Sequence, residues 1–288
     1  MSKDLAPGFI KVLDAHSINR IFSGCPSLQE FYMRPLRWYE ADPLSISGPS
    51  LRKLKLGKGY PYGCRPMAFV AVVAPLLQCF HYTDKLAEHY SIKTSNYLVE
   101  AHLDTSGDFD DHVDLSAVSN SARDLVQGVS NVKRLFLSAY CIEALALLKD
   151  DFPILLNLTK LEIGCSRNPH LTLPRLLRST PNLEVLTFSE GLFPVGFEDK
   201  DTVQQDYWGG QPAPSCLKTH LKVIEIDHFL GLKEELRIID FLLRKGHALD
   251  QLIINKCLGS VANFKARKQL KRMAKFSKKC VKFNEQFL

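Results

Sequence analysis

Residues 216–257 read CLKTHLKVIEIDHFLGLKEELRIIDFLLRKGHALDQLIINKC. Two short apolar phrases, Leu221-x-x-Ile224-x-Ile226 and Leu249-x-x-Leu252-x-Ile254, flank an amphipathic segment. In each phrase the last two apolar residues are two apart, which puts both side chains on one face of an extended strand. Between the phrases Leu236, Ile239, Leu242 and Leu243 recur at the spacing of a helix with one buried side. Strand, helix, strand, with 28 residues from phrase to phrase, is one turn of a repeat.

The same phrase, with loose apolar matches, occurs nine times, starting at Leu28, Leu51, Leu77, Leu98, Val132, Leu158, Leu183, Leu221 and Leu249. The spacings are 23, 26, 21, 34, 26, 25, 38 and 28 residues, and six of the eight fall in the 21–28 range of a leucine-rich repeat. A lone apolar hexad is common, and the Leu77 and Leu98 copies are weak. A second feature at fixed offset strengthens the reading. Paired apolar residues precede four phrases by seven and six positions: Ile21-Phe22, Leu125-Val126, Leu176-Leu177 and Leu242-Leu243. A pair there fits the end of an outer helix, one turn before the strand. The expected fold is therefore an α/β leucine-rich-repeat solenoid, curved and right-handed, with a parallel sheet on the concave face and helices outside.

Composition agrees with a folded chain: 288 residues, 45% hydrophobic and 24% charged. The longest apolar run, residues 67–77, contains Pro75 and is too short to cross a bilayer, so it reads as a buried strand and no membrane partner is expected. Residues 1–9 lack the apolar core of a signal peptide. Eight cysteines are scattered without a C-x-x-C pair. Together these features lead to an expectation of reduced, mostly buried thiols in cytoplasm or nucleus. The net charge of +6 is uneven. Residues 256–288 carry ten Lys and Arg against the single acid Glu285, which leaves the body slightly acidic.

No catalytic constellation is present: no G-x-S-x-G, no H-E-x-x-H, no Walker glycine loop and no cysteine set at zinc spacing. The chain is expected not to be an enzyme, with no cofactor and no metal. Gly57-Lys58-Gly59 reads as a turn, since Tyr62 stands where a phosphate loop needs its third glycine. The acidic run at 104–114 fails as an EF-hand at Val113 and Ser119 and reads as a solvated loop rather than a metal site of His102 and His112. The Gly- and Pro-rich stretch from 189 to 216 is a loop, and Trp208 is expected to tuck against the side of the repeats.

Several stretches in this order resemble one plant family. They are LVEAHL at 98–103, LVQGVSNVKRL at 125–135, PNLEVL at 181–186, the loop from Trp208 to Leu217 leading into HLKVIEI at 220–226, and LKRMAKFSKKCVKF at 270–283. This chain is similar to F-box proteins that carry leucine-rich repeats and a C-terminal FBD region. The resemblance implies repeats over 1–207 and an FBD-like strand–helix–strand cap over 208–288, ending in a basic amphipathic helix. It implies a non-catalytic protein-interaction module, like the substrate-recognition part of a ubiquitin-ligase receptor. Members begin with an F-box that docks on a Skp adaptor, and no such element fits before Ser17. The adaptor is accordingly not an expected partner, and the target protein is unknown.

In such a repeat the residue between the last two apolar positions faces the concave side. The resulting column is Tyr32, Lys55, His81, His102, Phe136, Glu162, Thr187, Glu225 and Ile253. Tyr32, Lys55, His81, His102, Phe136, Glu162 and Glu225 are its candidate binding residues. The strip is aromatic and basic towards the N-terminus and acidic later. In the tail, Ala266, Leu270, Met273 and Ser277 form one helical stripe while lysines and arginines cover the rest. That pattern predicts a helix capping the last repeat. The alternative is nuclear import or nucleic-acid binding through the basic face, although nucleic acid is not the expected partner.

Overall fold

The computed structural model describes residues 15–33, 43–57, 67–107, 109, 114–150, 152–197, 208, 210, 212–255, 261–277 and 280–284. After helix α1 (Ala15–Gly24) the chain alternates between two sheets through β1 (Glu30–Met33), β2 (Leu44–Ser47), β3 (Lys53–Leu56), β4 (Phe69–Ala74), β5 (Cys79–Lys85), β6 (His89–Thr94) and β7 (Glu100–Ser106). Strands β2, β4 and β6 form a small parallel sheet of their own. The odd-numbered strands begin a large one. Helices then take the place of the even strands: α2 (Leu115–Gly128), β8 (Arg134–Leu137), α3 (Ala139–Ala146), β9 (Lys160–Ile163), α4 (Pro169–Ser179) and β10 (Val185–Phe188). The chain continues through α5 (Ser215–Thr219), β11 (Val223–Ile226), α6 (Lys233–Lys245), β12 (Gln251–Asn255), α7 (Val261–Ser277) and β13 (Cys280–Asn284).

The large sheet has ten strands in the order β1-β3-β5-β7-β8-β9-β10-β11-β12-β13. All of its pairings are parallel, so the chain is a mixed α/β protein with an extended parallel sheet. Its register stacks the phrases upon one another. One buried row runs from Leu54 through Phe80, Leu135, Leu161, Leu186 and Ile224 to Leu252. A second runs from Met33 through Leu56, Tyr82, Leu103 and Leu137 to Ile254. Strand neighbours two apart point the same way, so these rows share one face and form a continuous core beneath the outer layer.

The first leucine of each phrase closes a turn ahead of the strand. Leu51, Leu77, Leu98, Leu158, Leu183 and Leu249 each donate an amide N–H to the carbonyl three residues back. Their side chains are buried, which pins the turn to the core. One carbonyl per repeat then accepts two successive N–H groups from the next. Gln29, Arg52, Gln78, Val99, Lys133, Thr159, Glu184 and Lys222 do this in turn.

The outer layer departs from the expected ring of helices. Behind β1, β3, β5 and β7 it consists of β2, β4 and β6, and α2 packs beside β6 to continue it in helices. The reason is local. LSIS and FVAVVA alternate buried with exposed at period two and are rich in β-branched residues, which suit a half-buried strand. The apolar run at 67–77 is this outer strand plus a turn, and Val73 and Leu76 are exposed. The apolar pairs placed before four phrases do lie in helices α1, α2, α4 and α6, and apart from the half-buried Ile21 they are buried.

Two further expectations change. The acidic run is shorter as a loop than its composition suggested, because residues 104–106 extend β7 and Asp114 caps α2. The Asp114 carboxylate accepts from the Ser116 and Ala117 N–H groups at 2.9 and 3.2 Å. His112 lies outside the described residues, as do Lys58 and Gly59. Among the described cysteines only Cys141 and Cys216 are buried, because Cys25 sits in a turn and Cys280 on a strand at the edge of the large sheet. Among the described residues no helix is long and apolar enough to cross a membrane.

At the C-terminal end Trp208 is packed as expected. Its ring lies 5.2 Å from Phe241, and its Nε1–H donates to Glu234 Oε1 at 2.8 Å. Glu235, fully buried, accepts from the backbone N–H groups of Leu230 and Leu232 and so fixes the start of α6. Helix α7 lies against α6 with Ala266, Leu270 and Ala274 buried and Lys265, Lys268, Lys271, Arg272 and Lys275 exposed.

Candidate functional site

The face of the large sheet opposite the core carries the candidate residues. Strand register sets them in one row: Tyr32 opposite Lys55, Lys55 opposite His81, then His102, Phe136, Glu162, Thr187, Glu225 and Ile253. β13, which carries no phrase of its own in the sequence, adds Lys282 beyond Ile253. Every residue in the row is exposed or half-buried.

The first half of the row is linked by ring contacts. Lys55 Nζ lies 5.3 Å from the Tyr32 ring centroid. His81 and His102 stack at 5.3 Å, and His102 lies nearly flat on Phe136 at 4.1 Å and 10°. Parallel strands make this possible, since side chains at matched positions on neighbours stand about 4.8 Å apart. Burial by these neighbours holds both imidazoles below their ordinary pKa. For His81 the Lys55 ammonium adds to the effect, and for His102 the Asp104 and Glu162 carboxylates oppose it. In the second half Thr187 Oγ1 donates to Glu225 Oε2 at 3.4 Å.

A second row, two residues earlier on each strand, was not singled out from the sequence. It holds Glu30, Lys53, Cys79, Glu100, Arg134 and Lys160 in register. Glu30 accepts from Lys53 Nζ and from the Tyr32 hydroxyl, both at 2.8 Å, and these bonds lower its pKa and raise that of Tyr32. Arg134 donates through Nε and Nη2 to Glu100 Oε2 at 3.1 and 2.8 Å. The other carboxylate oxygen, Oε1, is 3.9 Å from His81 Nε2. One ligand atom each of Cys79, His81 and Glu100 lie within 4.8 Å of one another. Their signal in the sequence was present but incomplete. Cys79-x-His81 places two donors on one strand face, and only the pairing of β5 with β7 brings Glu100 to them.

The family model for FBD matches residues 211–254, which hold α5, β11, α6 and most of β12. Related curated proteins come from Arabidopsis thaliana. A putative F-box protein is 29% identical over 265 residues, covering 83% of this chain and 52% of the relative. Two F-box/LRR-repeat proteins are 30% identical over 269 residues and 31% identical over 257, covering 86% and 82% of this chain. The chain spans about half the length of these relatives, 49% and 51% for the latter two. The chain carries an FBD region at residues 211–254 and is similar over more than four fifths of its length to plant F-box/LRR-repeat proteins.

Proposed function

We propose that this chain is a protein-interaction module, a leucine-rich-repeat solenoid over 1–207 closed by an FBD-like cap over 208–288, whose concave face receives a target protein. The observation that carries this reading is the single row from Tyr32 to Ile253, in register across nine strands, seven of which present a large aromatic, imidazole or charged side chain. Its span is about 40 Å at roughly 4.8 Å per strand, long enough for an extended segment lying across the strands. The gradient along it gives that segment a direction. Aromatic and basic groups suit acidic or aromatic side chains at one end, and Glu162 and Glu225 suit basic ones at the other. The names of the relatives support a place in target choice by a plant ubiquitin ligase.

The test is affinity capture from plant extract with three versions of the chain. Wild type and the helix-face variant Lys268→Gln/Lys275→Gln should retain the same protein. The row variant Lys55→Glu/Glu162→Lys/Glu225→Lys should lose it while keeping a near-wild-type melting temperature. Retention by the row variant would overturn the reading. So would recovery of RNA alone, lost with the helix-face variant, which would move the function to the basic tail.

A further inference from the structure

We propose that Cys79, His81 and Glu100 form a zinc-type metal site on the open face of the large sheet. The donor set mixes one thiol, one imidazole and one carboxylate, each a common zinc ligand. Rigid strands present it: Cys79 and His81 are two apart on β5, and Glu100 stands directly opposite Cys79 on β7. In a tetrahedral site with bonds of about 2.0–2.3 Å, ligand atoms sit roughly 3.5 Å from one another. Here they already lie within 4.8 Å, and His81 Nε2 is 3.9 Å from Glu100 Oε1. Small side-chain rotations close the remainder without moving the backbone.

The surroundings favour the same geometry. Arg134 occupies Glu100 Oε2 and leaves Oε1 turned toward His81. Carboxylate ligands held in this way by an outer hydrogen bond are the rule at metal centres. The His81 ring is supported by stacking on His102, itself stacked on Phe136. Cys79 is held as the thiol by burial and by Glu100. Binding therefore forms a metal–sulfur bond as the S–H bond breaks, and the proton passes to solvent. A divalent ion with one thiolate and one carboxylate is charge-neutral at the site. Lys55, opposite His81, works against a cation there, whereas Lys53 is paired with Glu30. Three protein ligands leave a fourth position facing outward, open to water or to a donor from outside the chain.

The site does not depend on the target-binding reading, and its test needs only the purified full chain. Cobalt(II) titration should give one equivalent of tetrahedral complex, with its visible d–d bands and a thiolate charge-transfer band. Zinc should displace it stoichiometrically. Cys79→Ser and His81→Ala should abolish the charge-transfer band or weaken binding at least about tenfold, the scale on which even outer partners act. Cys165→Ser, which alters another half-buried thiol, should leave both unchanged. Thermal melts without metal establish that the variants fold. Absence of a one-equivalent complex in the wild type overturns the proposal, as does an unchanged spectrum in folded Cys79→Ser and His81→Ala.

Discussion

Between Leu28 and Leu98 the large sheet is backed by strands, and from Val132 onward it is backed by helices. Both regions use the same inner phrase, the same turn and the same register. What differs is the return path. A strand advances about 3.3 Å per residue and a helix about 1.5 Å. The six residues of β4 therefore cover about the same length as the thirteen of α6. Strand-backed phrase spacings are 23, 26 and 21, and helix-backed ones are 34, 26, 25, 38 and 28, so the two kinds of return overlap in length and only the helix-backed ones reach beyond 30 residues. The inner ladder defines the repeat, and the outer layer is chosen locally by the periodicity of whatever sequence returns across it.

The largest expected effect comes from breaking the strand-backed side alone. Val72 is fully buried in β4, the central strand of the small sheet. Val72→Asp leaves an unpaired buried charge, an effect on the order of 3–5 kcal/mol. Hydrogen exchange should lose protection over 44–94 while 160–254 stays protected. Simultaneous loss in both would show one cooperative unit and erase the distinction between the halves. Next, Leu186→Ala should cost roughly 2–5 kcal/mol, as should Leu54→Ala in the same buried row under the strands. Denaturant midpoints decide it: a much smaller loss at Leu54 would mean that the strand covering packs loosely. Glu162→Ala, on the exposed face, should stay within about 0.5 kcal/mol of wild type.

The helical covering is tested at its far end. Leu270→Ser with Met273→Ser should lower the melting temperature by at least about 5 °C, given roughly 2–4 °C per kcal/mol for a domain of this size. Lys268→Gln with Lys275→Gln should leave it nearly unchanged. Lys271 is unsuited to that control because its Nζ lies 5.7 Å from the Phe283 ring. A melting temperature insensitive to the apolar pair would remove α7 from the covering layer.

The smallest effect is one of pH. Burial lowers the pKa of His170 in α4, partly offset by Glu234, while the unfolded chain titrates near the ordinary 6.5. Above that value both states are neutral there and the residue has no pH effect. As pH falls below it the unfolded chain takes the proton first, so stability declines through the folded pKa. His170→Gln should therefore reduce the stability lost between pH 7.5 and 5.5, measured by urea midpoints. An unchanged loss would show that this histidine is not coupled to folding.

The inner sheet was legible because its signal is repeated and its period is two. A single phrase such as the one at Val132 does not suffice, yet the spacing of all nine fixes which residues align. The outer strands were present in the same letters. The apolar pair that precedes a phrase marks helices of ten residues or more, namely α1, α2, α4 and α6. It is missing ahead of Leu51 and Leu98 and reduced to Val70-Ala71 ahead of Leu77, where strands run instead. β13 escaped because only Val281 and Phe283 alternate there, with Lys278 where a leading leucine would stand. The neighbours of the candidate row were hidden for a different reason. Glu100 meets Cys79 and Arg134 only through register, and a pairing between strands is not a property of either strand alone.

The turn ahead of each strand is held by main-chain groups, with one carbonyl shared by two N–H donors at eight successive steps. Such bonds are indifferent to which side chain stands on the open face. The row behaves like movable type in a fixed frame: a letter can be exchanged while the line keeps its spacing. Substitutions that would unsettle an ordinary binding pocket are here free to accumulate rung by rung. The open column can thus be rewritten while the buried leucines stay as they are.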